Sequence, residues 1–445
     1  MPEEITRIPG IPGNPQTQDT GTEAEDLTPV ASVVYASASA AANPQRPYEW
    51  QLDGYLTNGT GELHRCAATA WCARAIDANG APLPIVLAHD DVREVLRDRR
   101  LSPRSFTADM LAAGVSERAA RQLTPLFRRH GDEHRAFRSL LAAAFTPRNV
   151  EKIRPVAAAI AARLVDTIAA QGGECEAVAE LCAPLPPEVF ATLFGLPASD
   201  RDRLAAWGNA VIAAFSTPLT PAELASVEAA CAEMRDWGLD LIADRRAHPT
   251  DDLVTRLTEA EVDGARLGDD DIVDVITGFV FAGSETTRRQ LTALIVLFSE
   301  HPDEWERVAA DHSLIPGAVE EVLRLRSIVP AMTREVVDPF EHRGLDLAPG
   351  SRLVASFLTA NVDPATYERP DAFWIERPNA DSHVTFGWGP HLCMGAPLAR
   401  LELQEALRAM VARFGPPVLP DGPEAPGELG IVAPDALRVR FPVRT

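Results

Sequence analysis

Apolar residues along this chain recur mainly at three- and four-residue intervals, the spacing of one helix face. From about residue 117 onward that spacing dominates. The longest such pattern begins at Asp269-Asp270-Asp271, where acids favour a helix N-terminus. It runs to Phe298, and His301-Pro302 stops it. A helix of about 30 residues would be a rod of roughly 45 Å, enough to cross a whole domain. Residues 245–268 read as helix, loop, helix and turn, and residues 316–325 and 396–414 as amphipathic helices. Strand-like runs are few. Residues 83–88 feed the helical pattern at 91–96, and short strands are expected at 352–357 and 437–441. The fold expected is mainly α with a minor β region.

Composition narrows the class. Residues 1–45 are rich in Pro, Gly, Thr and Ala and hold almost no large apolar residues, so a flexible arm is expected there. One folded domain is expected over residues 46–445. The 445 residues are 46% hydrophobic and 24% charged, which are globular values. Net charge is −22, and Lys152 is the only lysine, which argues against non-specific nucleic-acid binding. No 18-residue apolar run offers a membrane span. The small, mildly apolar residues 31–42 follow acids, the reverse of a secretory signal. The six cysteines are scattered, and His64, Cys66 and Cys72 find no fourth zinc ligand at a usual spacing. A reducing, cytoplasmic setting is expected.

Four stretches carry chemistry. Cys393 stands in Phe386-Gly387-Trp388-Gly389-Pro390-His391-Leu392-Cys393-Met394-Gly395, just ahead of a helical run. A lone soft thiolate in such a turn suits a transition metal, or the axial position of a haem. Ala282-Gly283-Ser284-Glu285-Thr286-Thr287 lies inside the longest helix, although Gly and Thr are poor helix formers. Thr286 can bond the carbonyl of Ala282 and loosen the ladder there. Close packing at Gly283 is the simpler explanation. Glu285 beside Thr286 makes an acid–alcohol pair suited to proton relay. Glu321 and Arg324, three apart, can pair on one helix face, although such pairs are common and weak at surfaces. His134 and Arg138 share a face one turn apart, in a helix that Pro147 is expected to end.

In order and spacing these motifs resemble the cytochrome P-450 family. Leu185-Pro186-Pro187-Glu188-Val189, Leu193-Phe194-Gly195-Leu196-Pro197 and Asn361-Val362-Asp363-Pro364 extend the likeness over residues 47–445. The resemblance implies the cytochrome P-450 fold and heme b, with Cys393 as the axial thiolate in a loop shaped by Phe386, Gly389 and Gly395. It implies His134, Arg138, Arg334 and His391 as partners of the haem propionates. It implies Glu285 as the acid that feeds protons and Thr286 as the hydroxyl that stabilises oxygen bound at the iron. Glu321, Arg324 and Arg377 would form a buried structural pair and its completion.

The implied substrate pocket is lined by Phe281, Ala282, Ile328, Val329, Ile431 and Val432. These are apolar, so an apolar or mixed small molecule is expected. Gly278 would widen the pocket. The activity implied is monooxygenation, with hydroxylation and oxidative coupling both open. A peroxide-driven enzyme and a haem sensor are rivals that the Glu285-Thr286 pair disfavours. No flavin or nicotinamide region is visible, so electrons are expected from a separate ferredoxin with its reductase. That partner would dock on a basic patch of Arg128, Arg129 and Arg135 on the Cys393 side.

Overall fold

The computed structural model describes residues 33–34, 67, 70–77, 82–197, 200–215, 219–422 and 433–444. Of the arm expected over residues 1–45, only Val33–Val34 falls among these, as a strand paired with Cys72–Asp77. The helices that position the site are numbered here along the chain. They are α1 His89–Arg97, α2 Gly131–Ala144, α3 Arg154–Ala170, α4 Leu185–Leu193 and α5 Arg201–Ile212. They continue with α6 Pro221–Ala247, α7 Asp269–Glu300, α8 Ile315–Leu325 and α9 Ala396–Arg413.

The main sheet runs in the order β1-β2-β3-β6-β5-β4. Its strands are β1 Val33–Val34, β2 Cys72–Asp77, β3 Pro82–Val86, β4 Leu101–Ser102, β5 Ala331–Val336 and β6 Arg352–Ser356. β6 lies parallel to β3 and antiparallel to β5, with Leu353 opposite Arg334. A large helical core and a smaller core under this sheet divide the buried apolar residues.

The expected rod exists as α7, 32 residues long. Its buried positions face α4, α5, α6, α8 and α9, so it is the axis on which the helical core is assembled. Each acid at its start meets an arginine. Arg246 pairs with Asp269, Arg235 with Asp270 at 2.6 Å, and Arg129 with Asp271 at 2.5 Å. The acids therefore favour the helix dipole and also pin neighbouring elements. α6 begins with a capping box. Thr220 accepts from the Glu223 N–H, and Glu223 accepts from the Thr220 N–H at 2.8 Å, with Pro221 at the first position. Pro147 does not end α2. That helix stops at Ala144, and Pro147 opens a short helix, Pro147–Glu151, capped by the Thr146 hydroxyl. A proline fits a helix start because its missing N–H would be unpaired there anyway.

The pair Glu321–Arg324 is fully buried on α8. Arg324 donates to both Glu321 oxygens, at 2.7 and 2.8 Å, and to the carbonyls of Asn361 and Pro370 at 2.7 Å. Arg377 adds a second fork to Glu321 at 3.0 and 3.2 Å and also reaches the carbonyls of Arg369 and Ala372. One carboxylate thus ties α8 to the irregular chain over residues 361–377, which leads into the Cys393 loop. Glu321→Gln strips that charge and leaves two buried guanidinium groups uncompensated. It should cost about 3–5 kcal/mol, read as a lowered denaturant midpoint. An unchanged midpoint would contradict this role.

Candidate active site

Cys393 closes a tight loop. Its N–H donates to the Phe386 carbonyl at 2.8 Å, pinning the two ends of the turn. Phe386 is held from behind by Arg400, 4.6 Å above its ring, and by His383 at 5.8 Å. Glu320, one residue before the buried pair, joins those two, accepting from Arg400 at 2.7 Å and meeting His383 at 3.2 Å. Burial pushes the Glu320 carboxyl up, but these hydrogen bonds outweigh it and hold it at about 2. Gly389 is required twice over. Its φ is +72°, and a Cβ would lie 2.8 Å from the backbone of Arg97 at the end of α1. Gly395 starts α9, where a Cβ would lie 3.8 Å from the cysteine sulfur.

The Cys393 side chain is enclosed by protein yet exposed to accessible space. Burial pushes its thiol pKa up. The N–H groups of Gly395 and Ala396 and the charges of Arg138 and Arg400 pull the other way without cancelling that. Arg138, from α2, donates to the Leu392 carbonyl at 2.6 Å, so it sits directly against the cysteine loop.

His134 and His391 stack with ring centroids 3.8 Å apart. Burial first, then Arg138, pushes His134 down to about 4, and burial with its neighbour His134 pushes His391 down to about 2. His134 Nε2 is buried without a hydrogen-bond partner. Arg334 is 2% exposed, and β-strand alternation turns it inward beside Val336. It donates at 3.0 Å to the carbonyl of its neighbour Thr333 and has no acidic partner among the described residues. Burial alone lowers it to about 10. Arg334 and Arg138 both act on His391 through their charge. The four residues expected to hold propionates thus converge, and two of them lack the anion that their burial calls for. Together with a thiol open to the same interior, they fit a dianionic, thiolate-ligated haem.

On α7, Ala282 is exposed although its neighbour Phe281 is 2% exposed and packed in the helical core. The Thr286 hydroxyl donates to the Ala282 carbonyl at 2.6 Å, as the sequence suggests. The helix nevertheless continues unbroken, so no local opening accompanies that bond. Gly283 is explained by packing, since a Cβ there would lie 2.2 Å from the Phe190 ring of α4. Gly278 does not widen a pocket. A Cβ there would meet Pro125 at 2.7 Å, so its small size admits Pro125. Phe281 likewise faces the core and not the side that Ala282 exposes. Ile328 is buried in a small cluster with Ala293 and Ala433, and Val329 packs against it. Ile431 and Val432 lie outside the described residues.

The expected basic patch does not form. Arg128 reaches Asp274 at 3.1 Å, and Arg129 is 5% exposed and paired with Asp271, so both are committed to the start of α7. Of the three, only Arg135 is exposed, and it pairs with Asp132. The sequence places these arginines near the site but does not show which acids claim them. Two further participants were missed: Glu320, and the Asp435 carboxylate beside Arg288 and Arg289.

Without an anion beside it, His134 must be neutral to stay buried. Its folded value, about 4, lies below the ordinary 6.5, so its stabilisation is complete above 6.5 and is lost as pH falls through about 4. The loss should be on the order of 3 kcal/mol. Denaturant unfolding of the cofactor-free protein over that window should show this slope, and His134→Gln should reduce it, leaving the part that His391 contributes. An equal slope in the variant would contradict the assignment.

Comparison with known proteins agrees with this geometry. Residues 224–435 match the family model for Cytochrome P450. Cyclomarin C epoxidase CymV of Salinispora arenicola is 39% identical over 316 residues, covering 69% of this chain and 78% of that relative. Erythromycin C-12 hydroxylase of Saccharopolyspora erythraea is 33% identical, covering 74% and 81%. The solved structure of CYP109Q5 from Chondromyces apiculatus superimposes with a TM-score of 0.78 at 28% identity, covering 88% of this chain and 97% of that one. The chain therefore belongs to the cytochrome P450 family, and it is a monooxygenase whose cofactor is haem carried on a cysteine thiolate.

Proposed function

We propose that this enzyme hydroxylates an apolar or mixed natural product as a late tailoring step, using electrons from a separate ferredoxin and its reductase. The substrate class rests on relatives named as an erythromycin hydroxylase and a cyclomarin epoxidase. Epoxidation is the second reading, favoured by the 39% identity to an enzyme named as an epoxidase. A cytochrome P450 needs a redox partner, and the ferredoxin is the form of that partner proposed here. The described cysteines are all free thiols, which fits work in a reducing cytoplasm. Among the described residues no helix is long and apolar enough to cross a membrane.

Haem on a thiolate activates dioxygen for transfer of one oxygen atom to an organic substrate. The chain's own residues are assigned as follows. Cys393 supplies the thiolate, and the amides of Gly395 and Ala396 with Arg138 and Arg400 temper its charge. His134, Arg138, Arg334 and His391 bind the two carboxylates of the cofactor and fix its orientation. Ala282 leaves room on α7, and Thr286, half-buried one turn further on, holds a proton at its hydroxyl beside the reacting centre. Glu285 resupplies that proton. The observation that carries this assignment is the Thr286 hydroxyl, polar and half-buried one turn along α7 from the exposed Ala282.

Thr286→Ala should continue to consume electrons and dioxygen while releasing hydrogen peroxide, with product per electron falling roughly tenfold or more. Product and peroxide are measured together in a ferredoxin-coupled assay. Coupling equal to the parent enzyme would refute the relay, and the product's mass and unsaturation separate hydroxylation from epoxidation.

A further inference from the structure

Glu285 is not free to give a proton in this arrangement. Arg288 Nε donates to Oε2 at 2.6 Å, and a second nitrogen of the same guanidinium reaches Oε1. Arg289 Nε also donates to Oε1, at 2.6 Å. Both carboxylate oxygens therefore accept from cations, and the clamp lies on the same helix, three and four residues on. A carboxylate held in this way accepts hydrogen bonds at both oxygens and has no proton to donate.

Both arginines share a second anion. Arg289 donates to Asp435 Oδ1 at 2.6 Å and to the Ala433 carbonyl at 2.8 Å. The Arg288 nitrogen that reaches Glu285 also stands 3.3 Å from the same Asp435 oxygen. One guanidinium nitrogen thus lies between two carboxylates that differ sharply in environment. The Asp435 side chain is 57% exposed and that of Glu285 only 10%. A surface cleft of about 340 Å³ extends between them, lined by Glu176, Asn209, Ile212, Arg288 and Asp435 with Glu285 on its wall. The cleft is open and carries the charged groups of Glu176, Glu285, Arg288 and Asp435 on its lining, so it can hold water in contact with bulk solvent.

We infer that Asp435 is a positioning residue for proton delivery, competing with Glu285 for Arg288 and Arg289 and so setting how often Glu285 is released to take a proton from cleft water. This rests on the reading above in which Glu285 resupplies Thr286. A turn of Arg288 toward Asp435 frees one Glu285 oxygen. A proton from a bulk buffer acid, relayed along water in the cleft, then adds to that oxygen, and the buffer's conjugate base stays in solution. Glu285 passes the proton to the Thr286 oxygen as that hydroxyl gives up the proton it held, and Glu285, ionised again, recaptures Arg288. No electron moves in this cycle, and each proton comes from solvent. Asp435 touches neither substrate nor cofactor and acts only through the arginines.

The test uses the haem-loaded enzyme with substrate and its reducing partners. With Asp435→Asn the arginines lose the anion that competes with Glu285 for them. The solvent deuterium isotope effect on oxygen consumption should rise roughly twofold or more, and peroxide should increase at the expense of product. Asp435→Glu should restore both. A second readout needs no turnover. Amide hydrogen exchange across residues 285–292 should slow in Asp435→Asn, because the clamp stays closed. A merely structural Asp435 would instead leave that turn looser and exchanging faster.

An unchanged isotope effect, or faster exchange, overturns the inference. If Asp435→Asn does not fold, Arg288→Gln carries the test. A weaker clamp should lower the isotope effect, and a rise would overturn the inference. Thr286→Ala separates the two levels. If it uncouples while Asp435→Asn behaves as the parent, only the gate falls. If it stays coupled, the relay falls and the gate with it.

Discussion

The Cys393 sulfur, which must be held where iron can reach it, is the constraint on which this structure turns. Burial disfavours the charged form of Cys393, and the surrounding groups recover only part of that cost. Two backbone amides and two nearby arginines pull the thiol pKa down without cancelling the effect of burial, whereas a bound metal deprotonates a coordinating thiol outright. The loop must therefore hold its shape firmly enough to present the sulfur to iron. Its stiffness comes from the Phe386 carbonyl bonded to the cysteine N–H, from Gly389 pressed on α1, and from Arg400 and His383 behind Phe386. Further back, Glu321 and its two arginines lock the chain that feeds the loop. Removing the whole network in favour of apolar residues need not destabilise the fold, but removing one member must, because the others stay buried and charged.

The same logic explains the opposite rim. Arg334 and His134 are buried without acids, which a chain evolved for stability alone would avoid. On the assignment proposed above, the carboxylates of the cofactor offset their cost, which would couple cofactor binding to folding. α7 connects the two themes. It is the axis of the helical core, and midway along it the exposed Ala282 and the half-buried Thr286 leave a polar step on a mostly buried rod. Packing against Phe190 and Pro125 fixes where that step lies, since Gly283 and Gly278 admit those rings closely.

Local features were legible in the sequence. The long helix, its acidic start and its stop, the Glu321–Arg324 spacing and the bond from Thr286 to Ala282 all depend on residues a turn or two apart. The family resemblance, carried by such short motifs, gave the fold and the cofactor. Choices made by tertiary packing were not legible. A glycine's sequence neighbours do not reveal that Pro125 fills the space beside Gly278. Arg128 and Arg129 read as surface cations because their partners, Asp274 and Asp271, lie more than 140 residues on. Asp435 is separated from Arg288 by 147 residues, so no spacing rule could join it to Glu285. Pro147 was misplaced for a local reason: it can open a helix as well as end one.

The carbonyl complex of the reduced, haem-loaded protein tests the central claim most directly. Ligation by Cys393 predicts the strongly red-shifted Soret band of a thiolate-bound ferrous carbonyl, lost when Cys393 is replaced by histidine. A parent protein whose band already sits at the position of an imidazole-bound haem would contradict the account.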